Sequence, residues 1–76
     1  MNYFENRFGD YSNKSLEELE NIKDEVENDR QDWINIFENE KSISEQKNDA
    51  WNEIKRLDDH LLYLDMIIKE RKGHIR

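Results

Sequence analysis

Residues 38–49 read ENEKSISEQKND, and the fold turns on whether the chain reverses there. An apolar heptad pattern lies on both sides. One row steps through Leu19, Val26 and Trp33, then Glu40 and Lys47, then Ile54, Leu61 and Ile68. Its companion runs Ile22, Asp29, Ile36, Ile43, Ala50, Leu57 and Leu64. Spacings of three and four between two apolar rows mean helices packed on helices. The rows keep register through 38–49, and the stretch holds neither Gly nor Pro. Both features suit one rod over residues 16–72, about 86 Å long at 1.5 Å per residue. Two features oppose the rod: the charged seam residues Glu40 and Lys47, and a capping box, Ser42-Ile43-Ser44-Glu45, that would start a new helix.

The charges outside the stretch favour reversal. Residues 15–40 hold ten acids and two bases, net −8, whereas residues 41–76 hold seven acids and eight bases, net +1. Folding back brings Lys69, Arg71 and Lys72 beside Glu17, Glu18 and Glu20, each group at the helix end its charge favours. A turn near 41 also sets Leu19 opposite Leu64, Ile22 opposite Leu61, Val26 opposite Leu57 and Trp33 opposite Ala50. The sequence therefore predicts an all-α fold: an antiparallel, coiled-coil-like helical hairpin over residues 15–76. Its first helix covers about 16–40, started by the box Ser15-Leu16-Glu17-Glu18; the turn covers about 39–42; the second helix covers about 43–72 and stops at Gly73. Residues 1–14, MNYFENRFGDYSNK, form an aromatic N-terminal arm or short helix in which Phe4, Phe8 and Tyr11 share a face and Gly9-Asp10 marks a turn.

A chain of 76 residues is one small domain. It buries only about 60% of its unfolded surface, so its core is marginal. Without cysteine, disulfides and thiolate metal sites are excluded, and a second chain is the remaining reinforcement. The second helix fits that need, being apolar on several sides. The sequence predicts a homodimer that associates through Leu57, Leu61, Leu62, Leu64, Ile67 and Ile68. Residues 1–10 lack the apolar core of a signal peptide, and no apolar run approaches the roughly 20 residues of a membrane span. A cytoplasmic protein without membrane contact is expected. Its single alanine and abundance of Asn, Lys, Ile, Glu and Asp suit an AT-rich phage or mobile element.

Catalytic patterns are weak. His60 has Arg56, Leu57, Tyr63 and Leu64 at the positions one turn away, so it lacks a carboxylate or second histidine to share a metal. It reads as a helix-surface residue, and His74 as a tail residue. Glu17 and Glu20 have the spacing of a magnesium-binding pair, but the second helix carries no matching pair. No glycine-rich phosphate loop or nucleophile elbow is present. The expectation is a non-enzymatic protein with no metal and no cofactor.

The acidic first helix is the strongest signal outside the core. Glu20, Asp24, Glu25, Glu27 and Asp32 offer a face to a partner protein with a basic surface, with Tyr3, Phe4, Tyr11 and Trp51 as aromatic anchors. The expected role is to bind and modulate or inhibit that partner. A structural coiled coil is one alternative. Mimicry of nucleic acid is another, since net −8 over about 39 Å of helix approaches the charge density of duplex DNA only in a dimer. A third is sequestration of a small anion such as a nucleotide between subunits, with Tyr63 stacking. Direct binding of duplex nucleic acid is not expected, because Lys55, Arg56, Lys69, Arg71, Lys72 and Arg76 are few and mixed with acids.

Overall fold

The protein's structure, a computed structural model, describes residues 3–73. Three helices form: α1, Tyr3–Phe8; α2, Leu16–Glu38; and α3, Ser44–Gly73. The chain reverses between α2 and α3, and no rod forms. The 30 residues of α3, about 45 Å at 1.5 Å each, account for most of the 49 Å long axis. His74 and Arg76 lie outside the described residues.

The start of α2 follows from its first four residues. The Ser15 hydroxyl accepts the Glu18 N–H at 3.1 Å, and the Glu18 carboxylate accepts the Ser15 N–H at 2.8 Å. Two backbone donors that the helix leaves unpaired are thereby satisfied. These bonds, chiefly the one from the Ser15 backbone, lower the Glu18 pKa. The ionised box is therefore complete above the ordinary carboxylate range and weakens as pH falls through that lowered value.

The turn corrects the sequence reading in two ways. First, α2 ends at Glu38 rather than near 40, because Asn39 leaves helical geometry at φ −71° and ψ 122°. The Asn39 side chain accepts the Lys41 N–H at 2.9 Å, and its carbonyl accepts the Ser42 N–H at 3.1 Å. An asparagine closing its own turn removes the need for glycine or proline. Second, Ser42 does not cap α3. Its hydroxyl donates to the Ile36 carbonyl at 2.9 Å, satisfying an acceptor at the end of α2. The start of α3 shifts one residue on: the Ile43 carbonyl accepts the Lys47 N–H at 3.0 Å, and the Gln46 side chain accepts the Ile43 N–H at 3.0 Å. Gln46 thus fills the place expected for Glu45. The Ile36 carbonyl, which also accepts the Asn39 N–H at 3.3 Å, takes the serine that the box would have used.

Helices α2 and α3 pack against each other in opposite directions. Lys23 pairs with Asp65 at 3.0 Å, Arg30 with Asp58 at 2.5 Å and Lys72 with Glu20 at 3.0 Å, so partners advance along α2 as they retreat along α3. These pairs are half-exposed, and such pairs set register more than they add stability. Of the three bases expected beside the α2 start, Lys72 takes that place, whereas Arg71 turns to the leader. Apolar burial supplies the cohesion. Leu19, Val26, Leu57, Leu64 and Ile68 form one buried cluster, with Leu16, Ile22, Trp33 and Leu61 packed around it. Leu19 and Leu64 are fully buried, each contributing about 1.5–3 kcal/mol by transfer from water.

The leader, residues 3–14, lies along α3. Helix α1 is expected to extend far enough for Tyr11 to share the face of Phe4 and Phe8, but it stops at Phe8. Gly9 takes φ 103°, a conformation open to glycine at little cost, and its N–H bonds the Glu5 carbonyl at 3.0 Å. The chain bends, and Tyr11 still reaches the place where Phe4 and Phe8 converge.

Candidate functional site

Two aromatic surfaces and one charged face stand out, and they differ in what covers them. At the leader end the rings close on α3. Phe4 stacks on Tyr63 with centroids 5.6 Å apart, and Tyr11 stacks on the same ring at 5.4 Å. Phe8 lies parallel to His60, with 4.4 Å between centroids and 3° between planes. Polar bonds fasten the edges. Tyr63 donates to the Gly9 carbonyl at 2.8 Å, and the Tyr11 hydroxyl lies 3.0 Å from His60 Nε2. Burial raises the pKa of both phenols, so both stay protonated. Arg7 bonds Asp59 at 2.6 Å, tying α1 to α3. Arg71 donates to the carbonyls of Lys14, Ser12 and Tyr11 at 2.5, 3.2 and 3.4 Å.

His60 corrects the reading of it as a surface residue. It is half-buried under Phe8 and Tyr11. Desolvation, and secondarily the charge of Arg56, lower its pKa below 6.5, favouring the neutral ring. Spacing along α3 cannot reveal this environment, because the leader lies 49 residues away in the chain from the ring it covers.

At the turn end the aromatics stay open. Phe37 and Trp51 meet with centroids 5.8 Å apart, and Trp51 remains 48% exposed. They line an open cleft of about 680 Å³ with Ser44, Glu45, Lys47 and Asn48. Lys55 lies over the Trp51 ring at 5.9 Å. Ile36 and Ile43 are exposed at the same end. Phe37 is absent from the expected anchors because it lies off both heptad rows. The available signal was its position one turn after Trp33, at the end of a helix with no further turn to cover it.

The proposed anchors therefore separate. Trp51 and Tyr3 are exposed, whereas Phe4 and Tyr11 are packed on Tyr63. The acidic residues stay together along α2. Asp24, Glu25, Glu27 and Asp32 are exposed and make no ion pair among the described residues, while Glu20 is held by Lys72. The residues expected for self-association also divide. Leu57, Leu64 and Ile68 are consumed by the intramolecular core, Leu61 and Ile67 are half-buried, and Leu62 is 52% exposed beside Met66 at 51%. Tyr63, the ring expected to stack on a nucleotide, is buried under the leader, and Arg56, Arg71 and Lys72 have partners within the chain.

Among the described residues, no group of three or more His, Cys, Asp and Glu side chains could hold a metal ion. No described helix is long and apolar enough to cross a membrane. Comparison of the chain with protein-family models, curated proteins and solved structures finds no match.

Proposed function

We propose that the protein is a non-enzymatic interaction module that binds a partner protein with a basic surface and modulates or inhibits it. The observation that carries this reading is the open Phe37–Trp51 pair, left half-exposed in a chain that packs most of its other rings internally. A partly exposed tryptophan in an apolar recess is the kind of residue that anchors protein interfaces. The exposed acids of α2 add the long-range term: they attract a basic partner and favour its encounter, and salt weakens that attraction. Expected surroundings are the cytoplasm, that of a host cell if a phage or mobile element encodes the chain.

The exposed Leu62 and Met66 favour a second reading, homodimerisation along the outer face of α3. Stable interfaces bury about 800 Å² on each side, which two side chains do not supply alone, so this contact would be an accessory one.

The test is capture from a bacterial lysate at low and high salt, using the wild type, Trp51→Ala and the triple variant Asp24→Lys, Glu25→Lys, Glu27→Lys. A partner that both variants lose, and that high salt weakens, supports the proposal. If every partner stays bound to both variants, neither surface is the binding site.

A further inference from the structure

The hairpin core uses one side of α3 and leaves the opposite side open. Leu57, Leu64 and Ile68 join the cluster with α2, whereas Leu62 and Met66 stand 52% and 51% exposed. Leu62, Met66, Lys69 and Gly73 follow one another at steps of four, three and four, so they share one outer stripe of the helix. Met66, Lys69, Glu70 and Gly73 line an open recess of about 490 Å³. Those four residues stand at i, i+3, i+4 and i+7, the set that forms a hole for one knob of a facing helix. A Cβ built on Gly73 meets nothing within 4 Å, so a neighbour can approach closely there. We propose that the recess receives Leu62 of a second copy, in a weak homodimer whose α3 helices pack antiparallel about a two-fold axis at Met66. The proposal rests on the reading of this outer face as a self-association surface, and it supplies the orientation and register.

One knob sets the rest of the contact. With Leu62 of one copy seated in the recess of the other and the helices antiparallel, Met66 falls among Leu62, Asp65, Met66 and Lys69 of the other copy. These again stand at i, i+3, i+4 and i+7, so a second knob finds a hole without adjustment. The two-fold axis then returns the first copy's Leu62 to the second copy's recess, and the pair closes on itself.

Charge selects the direction. Asp59 and Lys69 flank the exposed apolar pair on opposite sides along α3. Antiparallel packing brings Asp59 of each copy within about one turn of Lys69 of the other, at both ends of the contact. Parallel packing in register would set Asp59 on Asp59 and Lys69 on Lys69. Both groups are free to pair across the axis. Lys69 makes no ion pair among the described residues, and Asp59, although bonded by Arg7 through Oδ2, keeps a side chain 45% exposed. The leader covers the neighbouring side of α3, at His60 and Tyr63, and leaves the stripe open. The overlap is only a few turns long and falls short of the about 800 Å² per side of a stable interface, so the dimer forms at high protein concentration. Its two Trp51 rings would lie about 45 Å apart along the helices, at opposite ends.

Sedimentation and single cysteines test the proposal on the full chain, which has no cysteine of its own. From about 20 µM to about 1 mM, the wild type should pass from monomer towards dimer, and Leu62→Asp should raise the dissociation constant roughly tenfold or more. A disulfide needs Cα atoms within about 7 Å. Met66→Cys, on the axis, should therefore cross-link under mild oxidation. Leu62→Cys should do so roughly tenfold more slowly, because its two copies stand about 11 Å apart along the helices. A mixture of Leu62→Cys and Glu70→Cys should favour the mixed dimer over either like pair. A wild type that stays monomeric at about 1 mM overturns both the proposal and the self-association reading beneath it. So does a dimer that Leu62→Asp leaves intact, since its contact lies elsewhere. A dimer that Leu62→Asp weakens, but in which Leu62→Cys links as fast as Met66→Cys, keeps the reading of the face and overturns the antiparallel register.

Discussion

The two ends of the hairpin each present aromatic side chains on α3, yet they come to opposite ends. Tyr63 is almost wholly buried by Phe4, Phe8 and Tyr11, while Trp51 has Phe37 as its only ring neighbour among the described residues and stays half-exposed. The rings do not cause the difference. At the leader end a further segment of chain returns to cover α3, and Gly9 bends it so that Tyr11 arrives on the same side. At the turn end the chain is spent on reversing: Asn39 and Ser42 bond backbone groups, and the residues around them are exposed. An apolar surface is closed where the chain has length left to close it. The open end is where a second molecule can contribute what the chain does not.

Four substitutions break or sharpen that comparison. The largest effect is expected at the closed end. Leu64→Ala removes a fully buried side chain from a small core and should destabilise the protein by about 2–5 kcal/mol in chemical denaturation. A cost below about 1 kcal/mol would mean that the hairpin core is not as closed as Leu64 implies. Next come the two serines that the sequence treats alike. Ser15→Ala should cost about 1 kcal/mol, because it removes a helix N-cap. Ser42→Ala should cost less, because the Asn39 N–H still bonds the Ile36 carbonyl that Ser42 serves. Equal costs would return Ser42 to the capping role. The smallest effect on stability belongs to the open end. Trp51→Ala should change unfolding free energy by only about 0.5 kcal/mol while removing partner capture. A large loss of stability there would make Trp51 a core residue and erase the contrast between the ends.

Much of the fold is legible in the chain because it depends on near neighbours. Ser15 and Glu18 are three residues apart, and their box follows from that spacing alone. The apolar rows assign Leu19, Val26, Leu57 and Leu64 to one cluster because helical periodicity is local. The second box is where local reading fails. Ser42 and Glu45 have the same spacing as Ser15 and Glu18, but the Ser42 hydroxyl lies within reach of the Ile36 carbonyl at the end of α2, and that neighbour exists only once the chain has turned. The candidate site divides similarly. The acidic run along α2 is visible in order of sequence, and it stays together because one helix carries it. Which aromatics remain available is not visible, because Phe4, Tyr11 and Trp51 differ in their surroundings and not in their type.

Sequence alone determined three things here: helical rows that must pack on each other, a strong charge difference between the two halves, and a capped start to the first long helix. Each rests on contacts within a turn or two, or on charge that needs no geometry to count. Tertiary structure decided the rest. It spent Phe4 and Tyr11 on Tyr63, put His60 under Phe8, gave Ser42 to α2 and left Trp51 open with Phe37. These outcomes depend on groups 6 to 59 residues apart, or on the absence of a covering segment. Spacing along a helix records nearest neighbours and carries no account of what the chain brings back over them.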